Sequence, residues 1–199
     1  MTPHQQLTNI LVEANCHKIP SVYTGIGSRK TPGDILGLMT RIAVAMDAWG
    51  WTLRSGAADG ADEAFDHCVS HAEIYLPWPH FEQNEKRRHA LPVDSVDFVV
   101  RPRPTPLAEE IAARFHPMWH RVKRGGQKLH ARNVHQILGM DCKSPSALVV
   151  CWTPDGSTGI TTPDTGGTGQ ALRIALGHGV PIFNLQRKDH REAWEEVIR

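Results

Sequence analysis

The stretch Val22-Tyr23-Thr24-Gly25-Ile26-Gly27-Ser28-Arg29 decides the fold class. A short β-prone run, Val22 to Thr24, breaks at Gly25-Ile26-Gly27-Ser28, after which Ile35, Leu38, Met39, Ile42, Ala43 and Met46 recur with helical period. That is strand, glycine loop, helix. The order repeats at once: Trp51 to Leu53 reads as a strand, Ser55-Gly56-Ala57-Ala58-Asp59-Gly60 as a loop and Ala61 to Val69 as a helix. A third strand, Glu73 to Leu76, ends at Pro77-Trp78-Pro79. Strands alternating with helices imply parallel strands joined by crossovers. The expected fold is α/β, a Rossmann-like doubly wound, mainly parallel sheet with helices on both faces.

Outward from this core, Leu7, Ile10, Leu11 and Ala14 place an amphipathic helix in residues 1–18. Residues 79–130 interrupt the rhythm with the charged run Glu85-Lys86-Arg87-Arg88, a strand from Val96 to Val100, a Pro-rich turn from Arg101 to Pro106, and a helix from Leu107 to Val122 that Pro117 is expected to kink. This segment reads as an insertion on a single domain spanning 1–199. Ala131 to Leu138 then reads as helix and Ala147 to Trp152 as a central strand. Thr153 to Gly169 is polar and holds five glycines, and helix (Gln170 to Leu176), strand (Val180 to Asn184) and helix (His190 to Ile198) follow.

The chain has 199 residues, with Lys plus Arg at 22 against 21 for Asp plus Glu and a formal net charge of +1. No long-range field draws the whole molecule to nucleic acid, so such a role needs a local basic patch. Met1 to Val12 lacks the regions of a signal peptide, no apolar run reaches the roughly 18 residues of a membrane span, and no membrane partner is expected. Cys16, Cys68, Cys142 and Cys151 form no C-x-x-C pair, which predicts free or buried thiols in a cytoplasmic protein.

Ligands of open parallel sheets bind beyond the carboxyl ends of the strands, where these glycine loops fall. Around Gly25, Gly27 and Ser28, backbone N–H groups can meet an anion, with Arg29 adding a charge-assisted contact; glycines that only form a turn are the competing reading. Ser55, Gly56 and Ala57 are small enough for close backbone approach, and Asp62 either binds a ribose hydroxyl or stabilises a helix N-terminus. In the third loop, Gly166, Gly167, Thr168 and Gly169 leave N–H groups for phosphate oxygens, against the alternative of a flexible connector. Arg132 and Asn133 supply a guanidinium to phosphate or an amide to a base, or else a surface salt bridge. Trp78 and Trp152 offer flat walls for a base, although aromatics at strand ends also close cores; Thr153 follows at the same edge.

Other chemistries find less support. His67 with His71, and His116 with His120, lack the intervening glutamate of a metalloprotease helix and a third ligand, so no metal is expected. There is no G-x-S-x-G elbow and no cysteine in a catalytic context. Lys86-Arg87-Arg88 and Arg121 to Arg124, with Lys128, form either a nucleic-acid patch or solvated helix faces; Glu82, Glu85, Glu109 and Glu110 favour the second.

Taken in order, Thr24-Gly25-Ile26-Gly27-Ser28-Arg29, Arg54-Ser55-Gly56-Ala57-Ala58-Asp59-Gly60-Ala61-Asp62, Ala131-Arg132-Asn133, and Ala147 to Trp152 followed by Gly166-Gly167-Thr168-Gly169 resemble the SLOG superfamily. That group contains the DNA-processing protein DprA and the LOG-type phosphoribohydrolases, and the resemblance is especially to its short DprA-like members in bacteriophages. It implies a Rossmann-like fold and a nucleotide or nucleic-acid ligand at Gly27-Ser28-Arg29, Ser55-Gly56-Ala57, Arg132-Asn133 and Gly166-Gly167-Thr168, in the cytoplasm of a bacterial or phage-infected cell. The chain departs from the LOG pattern P-G-G-x-G-T-x-x-E, with Gln170 for the threonine and Arg173 for the glutamate, which argues against hydrolysis by that mechanism.

The expected function is binding of a phosphate-bearing nucleotide or nucleotide-derived signal, sensed or sequestered by a homo-oligomer that requires no cofactor. Two alternatives stay open. One is a DprA-like mediator of recombination that binds single-stranded DNA through Arg87, Arg88, Arg121 and Arg124; the other is an N-glycosidic nucleotide hydrolase using Asp62 or Asp164.

Overall fold

The computed structural model describes residues 1–81, 98–101 and 103–199; the charged run Glu85 to Arg88 and the start of the strand expected at Val96 lie outside them. Among the described residues six strands form one sheet: β1 (Val22–Gly27), β2 (Thr52–Ser55), β3 (Ala72–Tyr75), β4 (Phe98–Arg101), β5 (Leu148–Trp152) and β6 (Ile182–Asn184). Their order is β4-β3-β2-β1-β5-β6, and every pairing is parallel. The helices are α1 (Pro3–Asn15), α2 (Gly33–Ala48), α3 (Ala61–Asp66), α4 (Pro106–Arg114), α5 (Arg124–Leu138), α6 (Thr168–Gly177) and α7 (Lys188–Val197).

Strand side chains alternate between two faces, and each face buries its own set of helices. Tyr23, Leu148, Val150 and Phe183 join residues of α1, α2, α3 and α7 in one core, which includes Leu7, Met39, Phe65 and Trp194. Ile26, Val149, Cys151 and Ile182 join residues of α4, α5 and α6 in the other, which includes Ala112, Ile137 and Leu172. This is the Rossmann-like doubly wound α/β fold expected from the alternation. No helix among the described residues is long and apolar enough to cross a membrane.

Three boundaries differ from the pattern reading. β1 continues through Gly27 instead of breaking at Gly25, because it pairs on the β5 side as far as Gly25 with Val150 and Gly27 with Trp152. The helix expected over 107–122 stops at Arg114, and only a 3-10 turn, Trp119–Arg121, follows. Pro117 lacks an N–H and disfavours helical backbone in the residue before it, so the helix ends rather than kinks. α5 starts at Arg124 rather than Ala131, its first turns masked in the sequence by Gly125 and Gly126.

The segment read as an insertion supplies β4, which extends the sheet beside β3, together with α4 and the first turns of α5. The chain runs from β1 through β2 and β3 to β4 on one side, and from β5 to β6 on the other. The strand order therefore reverses between β1 and β5, and the crevice of such a sheet lies at their carboxyl ends.

Candidate functional site

A cleft of about 570 Å³ opens at that reversal. Its walls are the end of β1 and the turn after it (Gly27 to Lys30), Ala58 before α3 and Asp62 in its first turn, residues of α5 between Gly126 and Gln136, and residues between Pro154 and Ala171 that precede and begin α6. Among the expected site residues, Gly27, Ser28, Arg29, Asp62, Arg132, Asn133, Gly166, Gly167 and Thr168 line it; Gly25, Ser55, Gly56, Ala57, Trp78, Trp152, Thr153 and Gly169 do not.

Packing explains the glycines of the first loop. A Cβ on Gly25 would stand 2.6 Å from the Phe65 ring, and one on Gly27 would stand 2.7 Å from Ala61 Cβ, so both residues let α3 press against β1. Beyond them a tight turn forms. The Ser28 N–H donates to the Trp152 carbonyl (3.2 Å), Ser28 Oγ accepts from the Lys30 N–H (3.0 Å), and the Ser28 carbonyl accepts from Thr31 Oγ1 (2.7 Å). The turn leaves Arg29 and Lys30 exposed at the cleft mouth.

The second loop is built around Arg132. Ser55 Oγ donates to the Gly25 carbonyl (2.8 Å), tying β2 to β1, and Ala57 takes a left-handed φ of 54°. Gly56 has no room for a side chain: its Cβ would fall 1.5 Å from Arg132 Nη1. That nitrogen donates to the Gly56 carbonyl (2.9 Å) and to Asp62 Oδ2 (3.2 Å), while the guanidinium carbon lies 5.8 Å from the centre of the Phe81 ring. Asp62 also accepts from the Ala58 N–H (3.4 Å), within the first turn of α3. The Arg132–Asp62 pair is buried, not a surface salt bridge.

The third loop is held from two sides. Asn133 Nδ2 donates to the Gly167 carbonyl (3.4 Å) and to Gln170 Oε1 (3.2 Å), so α5 fixes the start of α6. Asp155, absent from the sequence-derived set, gathers the preceding segment by accepting from Thr153 Oγ1, the Ser157 N–H, Thr162 Oγ1 and Thr165 Oγ1. Burial pushes its carboxyl up, but these donors, Thr165 first, outweigh burial and hold the pKa below the ordinary value. Thr153 is wholly buried in this network, also accepting from Asn184 Nδ2 (2.7 Å). Arg173 donates to the Phe115 carbonyl (2.7 Å) and to Thr161 Oγ1 (2.6 Å). The side chain of Asp164 lies outside the described residues.

Neither tryptophan lines the cleft. Trp152 is buried and donates from Nε1 to Gln186 Oε1 (2.9 Å), and Trp78 packs edge-to-face on Phe81 with centroids 5.1 Å apart. The ring that does line it is His130 of α5, 4.5 Å between centroids from His116. Burial, and then the neighbouring charges of His116, Arg173 and Arg132, push its pKa down to about 4, so it is a neutral ring near pH 7. Gln136, one helical turn beyond Arg132, reaches the floor of the same cleft. Both residues escaped the sequence reading, although His130 and Asn133, and Arg132 and Gln136, stand at helical spacings of three and four on a helix already singled out.

The remaining candidates resolve locally. His67 Nδ1 faces the Glu63 carbonyl (2.8 Å), His71 pairs with Asp47 (3.0 Å), and no group of three metal-ligating side chains occurs among the described residues. All four cysteines are free thiols. In the basic stretch, Arg124 is engaged bidentately by Glu109 (2.6 and 2.8 Å), whereas Arg87 and Arg88 lie outside the described residues.

No protein-family model and no curated protein matches this chain. The functional reading therefore rests on the cleft itself. Its mouth carries Arg29 and Lys30 with the start of α6, and its floor carries the charge-balanced pair of Arg132 and Asp62.

Proposed function

We propose that the chain binds a phosphate-bearing nucleotide, or a nucleotide-derived signal, in the cleft between β1 and β5, as a nucleotide-binding protein of SLOG, DprA-like type that senses or sequesters its ligand. One observation carries the proposal: the start of α6 at Gly166-Gly167-Thr168, the Ser28 to Lys30 turn and the polar residues of α5 open onto one space of about 570 Å³ at the reversal of strand order. That size suits a small-molecule ligand. The first turn of a helix carries N–H groups without intrahelical acceptors, and its dipole favours an anion. The N–H groups of Gly166 and Gly169, expected to face phosphate, instead donate to the Pro163 (3.2 Å) and Gly166 (3.1 Å) carbonyls, so phosphate is placed on those of Gly167 and Thr168, with Arg29 and Lys30 supplying countercharge and Asn133 keeping the turn in place.

Thermal unfolding with mononucleotides, cyclic nucleotides and ADP-ribose derivatives tests this. A ligand at about 100 times its Kd adds ~2.7 kcal/mol, which raises the Tm of a chain this long by roughly 5–10 °C. No shift with any member of the panel sinks the proposal.

A further inference from the structure

A second hollow, of about 510 Å³, lies at the opposite edge of the sheet, where β1 and β2 begin. Leu11 and Ala14 of α1, Val197 of α7, Trp49 and Trp51 give it apolar walls, and Asn15, His17 and Ser21 add a few polar groups. No Asp, Glu, Lys or Arg lines it. The volume suits a small molecule, and such walls offer an ion no countercharge for the water it would lose.

The end of α2 sets the two indoles. The Trp51 N–H donates to the Met46 carbonyl (2.9 Å) and the Gly50 N–H to the Asp47 carbonyl (2.9 Å), with Gly50 at a φ of 74°. This double bond pattern around a left-handed glycine closes the helix and fixes Trp51 beside it. Trp51 is 4% exposed, whereas Trp49, two residues earlier, is 46% exposed. Trp51 Nε1 has no hydrogen-bond acceptor among the described residues, yet it is not one of the unpartnered atoms sealed from solvent. The small part of Trp51 that solvent reaches therefore includes this donor, and the hollow is where the residue is reached.

We propose that this hollow is a second ligand site, for a planar, uncharged aromatic molecule that carries a hydrogen-bond acceptor. The ring of the ligand covers Trp49, and its acceptor takes the Trp51 indole N–H. Withdrawing the Trp49 surface from water supplies the affinity, and the indole N–H supplies the selectivity. The site is independent of the nucleotide reading, whose cleft lies at the carboxyl ends of the strands.

The indole N–H signals of the ¹⁵N-labelled protein test the proposal, because each of the six tryptophans gives one. Trp51→Phe and Trp49→Ala assign two of them. Quinoline, which accepts through its ring nitrogen, should move the Trp51 signal saturably. Indole, similar in shape but without a ring-nitrogen acceptor, should bind about fivefold more weakly, and Trp49→Ala should weaken quinoline by about as much. The 2-naphthoate anion should bind more weakly than quinoline. No saturable shift with quinoline, equal affinities for quinoline and indole, tighter binding of 2-naphthoate, or unchanged affinity in Trp49→Ala overturns the proposal. So do Trp49 and Trp51 signals that move with protein concentration in the absence of any probe, an outcome that assigns the hollow to a second copy of this chain.

Discussion

Replacing Gly56 by alanine adds one methyl group, at the point where Arg132 Nη1 already lies 1.5 Å away. The backbone itself tolerates alanine, because Gly56 is not among the residues with positive φ, and the loss of unfolded-state freedom returns about 0.4–1 kcal/mol. The guanidinium, however, has to leave. It then loses the Gly56 carbonyl and the Asp62 carboxylate, and Asp62, 3% exposed, stays buried without it. Breaking a buried ion pair costs ~3–5 kcal/mol, so the net destabilisation is about 2–4 kcal/mol, or roughly 5–15 °C in Tm for a chain of this length. Urea denaturation followed by circular dichroism measures it. A double-mutant cycle isolates the cause: in an Arg132→Met background the same Gly56→Ala change should cost less than about 1 kcal/mol, since the flexible thioether can yield where the paired guanidinium cannot. An equal cost in both backgrounds would refute the assignment of Gly56 as the seat of Arg132.

Gly167→Asp should act with opposite signs on stability and binding. A Cβ there meets nothing within 4 Å, and a carboxylate at the start of α6 stabilises the unliganded protein through the helix dipole by about 0.3–1 kcal/mol. The same charge should cut nucleotide affinity by roughly tenfold or more, read by titration calorimetry. Mild acid should destabilise the fold through its buried histidines. Burial holds His130 at about 4 and also lowers His135 and His190, so the unfolded chain takes up protons that the folded chain refuses. Stability is therefore full above about pH 6.5 and falls as pH drops toward 4, by at most ~1.4 kcal/mol per pH unit for each histidine. Urea midpoints that stay level or rise on acidification contradict this. Asp155→Asn leaves one acceptor oxygen for a cluster of four donors and should cost about 1–3 kcal/mol while shrinking the nucleotide-induced rise in Tm. An unchanged rise would uncouple that segment from the site.

The alternation of strand, glycine loop and helix made the fold legible, because parallel order follows from local patterns of period two and period 3.6. The site was legible only where the sequence marks a loop. Ser28, Arg29, Gly166, Gly167 and Thr168 line the cleft because they follow β1 or precede α6. Gln136 and His130 lie inside a helix, and a buried polar face on α5 looks the same in sequence as a solvated one until its surroundings are known. The partner of Arg132 across the site, Gly56, is 76 residues away, a pairing that no local pattern encodes. Trp152 failed as an expected wall for a related reason: a strand end gives its position, but the side chain's face follows from the alternation along β5, which sends it with Leu148 and Val150 into the core.

The glycines of the loops around the cleft divide into two kinds. At Gly25, Gly27 and Gly56 a Cβ would collide with Phe65, Ala61 or Arg132, so folding alone demands glycine there. Those positions would persist in a relative that binds nothing. At Gly166 and Gly167 a Cβ meets nothing within 4 Å, and both residues are exposed to the cleft. Gly166 has φ of 68°, which favours glycine through its backbone, but Gly167 has φ of −63° and no steric reason to be glycine. An open approach to the first turn of α6 is the remaining physical use for it, since a side chain would stand where an anion meets the N–H groups. Of the glycine positions that suggest a nucleotide, Gly167 is the one whose identity the fold leaves open.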